Sequence, residues 1–181
     1  MEICNHDLLT GLPSLHLIPE CIEQLTHEHD QLGLLLLDID RFILFNVYYG
    51  HQAGDEKLKQ IANLICQSVP KNAKVFRSGG DEFAVVLGGR PMAEVVSVAM
   101  QVWNTINLQL SSLPLLERCY FFLDKSYLKI PAPLTVSCGV IFYPAHGMNF
   151  AVLREVAEKA MYRGGKSLNP RGVLVVAELE G

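Results

Sequence analysis

The residues best suited to chemistry form a short acidic turn at positions 79–82, with the sequence Gly-Gly-Asp-Glu. Apolar runs on either side predict two β-strands joined at the glycine pair as a hairpin. Glycine tolerates positive φ and lets a ligand approach the backbone, which makes Gly80 a candidate contact. The adjacent carboxylates of Asp81 and Glu82 repel each other unless positive charge is near, and a divalent cation with a nucleotide would supply it. An ordinary acidic turn is the alternative.

Two more aspartates, Asp38 and Asp40, stand on either side of Ile39 at the end of the apolar run 32–39. The run is short and does not alternate, which predicts a central β-strand covered on both faces. Asp38 would then lie at a strand end, a common position for ligand sites in sheets packed with helices. Alternatively, Asp38 only caps the helix that follows.

Hydrophobic spacing along the rest of the chain predicts helices packed on a mostly antiparallel sheet, an α+β architecture. The predicted helices cover about residues 14–26, 41–49, 55–69 and 92–110. A last helix uses Val152, Val156, Ala160 and Met161 and ends at Gly164 and Gly165. Residues 51–55 are predicted to form a loop, 134–143 a half-buried strand and 173–176 a last strand. We expect one domain over residues 1–181, with a lead-in at 1–13 and an irregular insertion or extra hairpin at 111–133.

Composition narrows the class of protein. The chain has 181 residues, 50% of them hydrophobic, and a net charge of -4, which favours a packed globule and disfavours general nucleic-acid binding. Its five cysteines show no C-x-x-C spacing, which is typical of reduced thiols in the cytosol. No stretch resembles a signal peptide or a transmembrane helix, so we expect a cytoplasmic protein or the cytoplasmic domain of a larger, membrane-bound one.

Several separated motifs together resemble the GGDEF family, the diguanylate cyclases. They are D-L-L-T-G-L at 7–12, D-I-D-R-F at 38–42, G-H-x-x-G-D at 50–55, R-S-G-G-D-E-F at 77–83, V-S-C-G-V at 136–140 and A-E-K-A-M-Y at 157–162. The resemblance implies a palm-like fold shared with nucleotidyl cyclases and polymerases. It also implies an enzyme that joins two GTP molecules into cyclic di-GMP and releases pyrophosphate, with two subunits facing each other as a homodimer.

The resemblance implies a metal site built by residues that follow the strand and the turn. Two Mg²⁺ or Mn²⁺ ions would be held by the carboxylates of Asp38 and Asp81 and by the backbone carbonyl of Ile39. Glu82 would be a further ligand or would act on the attacking 3′-hydroxyl. Hard cations prefer carboxylate oxygens, and a pair of them stabilises both the attacking and the leaving oxygen.

By the same resemblance, Asn46 and Asp55 would bind the edge of guanine. A carboxylate at Asp55 can accept hydrogen bonds from N1–H and the 2-amino group together, which adenine does not offer. An enzyme that makes another dinucleotide on the same fold is therefore disfavoured.

The chain departs from the family pattern where cations would hold the triphosphate. Apolar or uncharged residues stand at the family's usual Lys, Asp, Lys and Arg positions, namely Ile43, Val47, Gly165 and Asn169. Lys166 or Arg171 would substitute only by a shift of register. The usual inhibitory R-x-x-D motif reads Pro-Lys-Asn-Ala at 70–73, so product inhibition through that site is not expected.

Two hypotheses follow. The first is an active diguanylate cyclase, because the metal carboxylates and the guanine pair are present. The second is a degenerate module that binds GTP or a partner protein and regulates without turnover, because the phosphate-binding cations are replaced. In either case a sensory or receiver domain would lie outside this chain.

Overall fold

The computed structural model describes residues 5–77, 80–110, 119–120, 127–128, 134–166 and 172–178. The helices of this part are Ile18–Thr26 (α1, preceded by a 3₁₀ turn at Leu15–Leu17), Phe42–Tyr49 (α2), His51–Ser68 (α3), Met92–Leu110 (α4) and Phe150–Met161 (α5, continued by a π-helix at Tyr162–Lys166). The strands are Leu32–Asp40 (β1), Lys74–Arg77 (β2), Glu82–Gly88 (β3), Cys119–Tyr120 (β4), Tyr127–Leu128 (β5), Thr135–Tyr143 (β6) and Leu174–Val176 (β7).

A five-stranded sheet in the order β2-β3-β1-β6-β7 forms the centre of the fold. All neighbouring strands are antiparallel except β6 and β7, which run parallel. This confirms the predicted α+β class with a mostly antiparallel sheet. A separate ribbon pairs β4 with β5 inside the segment 111–133, and the other residues of that segment lie outside the described residues.

The central strand β1 is buried on both faces, as its unbroken apolar run predicts. One face carries Leu35 and Leu37 and packs in the hydrophobic core that includes residues of α2, α3 and α4. The other carries Leu34 and Leu36 and packs with residues of α1 and α5. Because side chains alternate along a strand, Asp38 continues the second face, toward α5.

Two predictions are wrong, one about where α3 begins and one about the burial of β6. Residues 51–55 are not a loop, because α3 begins at His51 directly after Gly50, whose φ of 86° turns the chain sharply between two helices. The strand β6 is not half-buried: it lies between β1 and β7, α4 and α5 both pack against it, and its alternating residues Val140 and Ile141 belong to the two different hydrophobic cores. Its alternation of small polar and apolar residues does not mark a solvent-facing side.

The buried stripe of α5 includes the predicted Met161, but its other buried residues lie one position beyond the predicted Val152 and Val156. Leu153, Ala157 and Met161 are buried, whereas Val152 is 42% exposed. Helical structure also continues past Gly164 as the π-helix, so the glycine pair does not end it. None of the helices in the described part of the chain is long and apolar enough to cross a membrane.

Candidate functional site

The register of β1 and β3 brings the predicted acidic residues to one end of the sheet. Asp38 and Glu82 are directly opposite each other across the antiparallel pair. Residues paired in this way have Cβ atoms about 4.5–5.5 Å apart. The backbone N–H of Ile39 donates to the carbonyl of Asp81 at 3.2 Å, so Asp81 lies beside the same strand end. The structure thus places these four residues next to each other, while their roles stay predictions.

A cavity of about 390 Å³ opens beside this strand end. Its polar lining consists of Asp38, Glu82, Arg154 and Glu158, together with Tyr162 at the end of α5. Apolar side chains of β1, β3 and α5 complete its walls. The cavity therefore combines clustered carboxylates with a guanidinium on a largely apolar floor.

Arg154 is the residue of this cavity that sequence reasoning missed. Its Nη2 donates to both carboxylate oxygens of Glu82 at 2.9 Å, and its Nε donates to Glu158 at 2.7 Å. The hydrogen bond to Glu158, reinforced by the charge of Glu82, raises the pKa of Arg154 above its usual range. The i,i+4 spacing of Arg154 and Glu158 is visible in the sequence, but the contact with Glu82 depends on which face α5 buries.

Asp40 strengthens the strand end without lining the cavity. Its buried carboxylate accepts hydrogen bonds from the hydroxyls of Thr135 and Ser137, both at 2.8 Å. These side-chain bonds join β1 to β6 just beyond Asp38, in addition to the backbone ladder. The position of Asp38 is therefore fixed from both neighbouring strands.

An ion pair braces the acidic turn from the N-terminal side. Arg77 is only 3% exposed, and its Nη1 lies 2.5 Å from a carboxylate oxygen of Asp7. The same guanidinium donates from Nε and Nη2 to the carbonyl of Gly80, at 3.1 and 2.7 Å. Gly80 is thus held by its carbonyl, and Gly79 lies outside the described residues.

The predicted guanine residues lie where α2 meets α3. The Oδ1 atom of Asn46 is buried and accepts no hydrogen bond from any residue that the structure describes. A side chain at Gly54 would collide with it, because an added Cβ would lie 1.9 Å from Oδ1. Asp55 follows on α3 with an exposed side chain. Neither Asn46 nor Asp55 lines the cavity beside Asp38.

The residues that replace the usual charged positions present apolar surface on α2. Ile43 is 73% exposed and Val47 is 68% exposed, one helical turn apart. Lys166 belongs to the π-helix by its backbone, but its side chain lies outside the described part of the chain, as do Asn169 and Arg171.

The oxygen donors at the strand end suit a hard cation. Within the described ranges, no three His, Cys, Asp or Glu side chains form a group that could hold a metal ion. Mg²⁺ is usually bound by only one or two carboxylates, and its other ligands are water and substrate phosphates. Asp38, Asp81 and the carbonyl of Ile39 fit that smaller donor set, whereas both oxygens of Glu82 accept from Arg154.

Comparison with known proteins identifies the family. The sequence model described as "Diguanylate cyclase, GGDEF domain" matches residues 4–169. The chain belongs to the GGDEF family. Its fold superimposes on the GGDEF domain of TpbB (YfiN) from Pseudomonas aeruginosa with a TM-score of 0.69 and 29% identity, over 96% of this chain and 95% of that one. The GGDEF domain of DgcB from Caulobacter crescentus, in complex with c-di-GMP, gives 0.73 and 23% identity over 98% and 96%, which shows the shared fold.

Relatives found by sequence are longer proteins. An uncharacterized membrane protein of Staphylococcus aureus is 34% identical over 114 residues, which is 61% of this chain and 32% of the relative. The chain thus spans about a third of the length of the curated relatives that it matches. Family membership supports a role in cyclic di-GMP signalling.

We expect the Asp7–Arg77 ion pair to give the fold a pH-dependent contribution to stability. Burial raises the pKa of Asp7, but hydrogen bonds from Thr10 and Arg77 and the charge of Arg77 outweigh it, and the net pKa is lowered. The contribution is therefore complete above the unfolded pKa of about 3.9 and is lost as the pH falls through the folded value. At pH 7, Asp7→Asn should lower the free energy of unfolding by about 3 kcal/mol, because it leaves Arg77 buried beside an uncharged partner.

Urea unfolding of both proteins between pH 7 and pH 3 measures this contribution. The difference between wild type and Asp7→Asn should shrink below about pH 4, while Asp30→Asn, at an exposed aspartate, stays close to wild type throughout. A deficit of equal size at pH 3 and pH 7 would contradict the assignment.

Proposed function

We propose that the chain is a diguanylate cyclase, which joins two GTP molecules into cyclic di-GMP and releases two pyrophosphates. The observation that carries the proposal is the pairing of Asp38 with Glu82 across β1 and β3, beside Asp81 and an open cavity. The membership of the chain in the GGDEF family supports the same activity. In each step a 3′-hydroxyl attacks the α-phosphate of the other nucleotide, a P–O bond to that phosphorus forms, and the bond to the pyrophosphate oxygen breaks.

The acidic residues would position the triphosphate for this displacement. Two Mg²⁺ or Mn²⁺ ions, when bound, supply positive charge that stabilises the attacking and leaving oxygens. Asp38, Asp81 and the carbonyl of Ile39 would hold them, on a strand end that Asp40 fixes against β6. Glu82 would serve as a further ligand or accept the proton of the attacking hydroxyl, after its carboxylate leaves Arg154.

The α2–α3 junction would bind the base. The unpaired Oδ1 of Asn46 can accept from an N–H of guanine, which satisfies a buried polar atom that has no partner among the described residues. Gly54 leaves the space that this amide occupies, and Asp55 would accept from N1–H and the 2-amino group. The phosphate contacts would include the backbone of Gly80, which lets a ligand approach closely. They would also include Lys166, if it takes the place of the lysine that the family usually has at position 165.

Each subunit would hold one GTP, so the active form would be a homodimer with the two sites facing each other. We also propose that a sensory or receiver domain outside this chain controls that pairing, since the chain matches only a third of its longer relatives.

A second candidate function is regulation without turnover, in which the module binds GTP or a partner protein. Two observations favour it. Both oxygens of Glu82 are engaged by Arg154, and the exposed side chains of Ile43 and Val47 carry no charge that could hold a phosphate.

Incubation with GTP and Mg²⁺ or Mn²⁺, followed by chromatography, separates the two functions. Wild type should form cyclic di-GMP at a rate per subunit that rises with protein concentration, because two subunits must meet. Asp81→Ala should reduce the rate by about 100-fold or more, since it would remove a carboxylate ligand of the divalent cation that stabilises the leaving oxygen. Asp30→Ala serves as the matched control, because Asp30 is exposed and precedes β1 at the end opposite to Asp38.

Product formation by Asp81→Ala at the wild-type rate would contradict the metal assignment. Absence of product from wild type at every concentration, together with GTP binding in calorimetry, would select regulation without turnover.

Guanine recognition makes a separate prediction. Asp55→Ala should weaken GTP binding about tenfold or more and leave ATP binding unchanged, because the lost hydrogen bonds involve a charged acceptor that only guanine uses. Glu56→Ala is the matched control, since Glu56 is the next residue of α3 and pairs with Lys59. Equal discrimination between GTP and ATP in wild type and Asp55→Ala would remove Asp55 from the base site.

A further inference from the structure

Arg154 is the one cationic side chain among the described residues that line the cavity beside Asp38 and Glu82. We propose that Arg154 binds the phosphate groups of the nucleotide. This assignment rests on the proposed binding of GTP. It gives the triphosphate a guanidinium from the middle of α5, in a chain whose sequence offers no cation at positions 43, 165 and 169.

The geometry of Arg154 suits a phosphate contact. Glu158, one turn further along the same helix, accepts from Nε at 2.7 Å and so fixes the orientation of the guanidinium. Nη2 points at Glu82 across the cavity, and Nη1 makes no hydrogen bond with any of the described residues. With Nε anchored, Nη1 together with Nη2, once Nη2 releases Glu82, would form a fork of donors, the arrangement that binds phosphate oxygens in pairs.

The contact with Glu82 can be exchanged for a ligand. The side chains of Arg154 and Glu82 are 42% and 32% exposed, and ion pairs this accessible to water contribute little net stability. Opening the pair would free Glu82 to face a cation held by Asp38 and would free Nη2 to face an anion. The described lining carries three carboxylates and one guanidinium, so without Arg154 every charged side chain that faces a triphosphate there would be negative.

A simpler role is that Arg154 only neutralises Glu82. In that case its removal would leave nucleotide affinity unchanged or would raise the demand for the divalent cation alone. Nucleotide affinity therefore separates the two roles.

Calorimetry with 3′-deoxy-GTP and Mg²⁺ tests the assignment on the full chain. This nucleotide lacks the attacking hydroxyl, so binding is measured without turnover. Arg154→Ala should weaken its binding at least tenfold, and Arg154→Lys, which keeps the charge but not the fork, should lose less. Lys159→Ala is the matched control, because Lys159 lies on the same helix, pairs with Glu155 and does not line this cavity.

A nucleoside without phosphates shows whether the effect is local. Binding of 3′-deoxyguanosine, followed by NMR at millimolar concentration, should be the same in wild type and Arg154→Ala. If Arg154→Ala does not fold, Arg154→Gln removes the charge while keeping a long polar side chain, and the same tenfold loss is expected of it.

Three results would overturn the assignment. Affinity of the folded variants for 3′-deoxy-GTP within twofold of wild type would show that Arg154 does not touch the phosphates, and GTP binding would still stand. Equal losses for nucleotide and nucleoside would show a general distortion of the site. A wild-type protein that binds no 3′-deoxy-GTP would remove the proposed function and this inference together.

Discussion

The antiparallel register between β1 and β3 is the constraint on which the candidate site depends. The paired residues run from Leu32 with Gly88 to Asp38 with Glu82, so this register places the two carboxylates opposite each other. A slip of one residue would turn Asp38 to the opposite face of the sheet. The buried apolar side chains on both faces of β1 oppose such a slip, because every β1 side chain would then point into the other hydrophobic core, which does not fit its size.

Polar contacts around the strand end convert this register into a rigid site. Asp40 accepts from two hydroxyls of β6, and Arg77 joins the lead-in at Asp7 to the carbonyl of Gly80. These groups are buried or nearly so, where satisfied hydrogen bonds of charged groups hold side chains firmly in place. The contact of Glu82 with Arg154 is more exposed than these contacts, and it is the part of the site best able to rearrange.

Local patterns predicted most of the framework, and the errors arose where tertiary packing decides. The unbroken apolar run of β1 and the spacing of α4 led to the observed elements, and the glycine turn led to the hairpin. Except at Met161, the buried stripe of α5 lies one residue from the predicted one, because Ala157 packs closely against Gly139 of β6 and so small a side chain carries little hydrophobic signal. That displacement is also why Arg154 was missed: its partner Glu82 is 72 positions away, and only the correct face of α5 brings them together.

Electron paramagnetic resonance of Mn²⁺ tests most directly whether the acidic groups at this strand end share a cation. Because 3′-deoxy-GTP itself chelates Mn²⁺, the signal of free Mn²⁺ at a fixed nucleotide concentration is measured first without protein, and wild-type protein should lower it further. Asp38→Ala and Asp81→Ala should each leave the signal near the level set by the nucleotide alone, whereas Asp30→Ala should lower it like wild type. Undiminished Mn²⁺ binding by both Asp38→Ala and Asp81→Ala would contradict a metal site between β1 and the glycine turn.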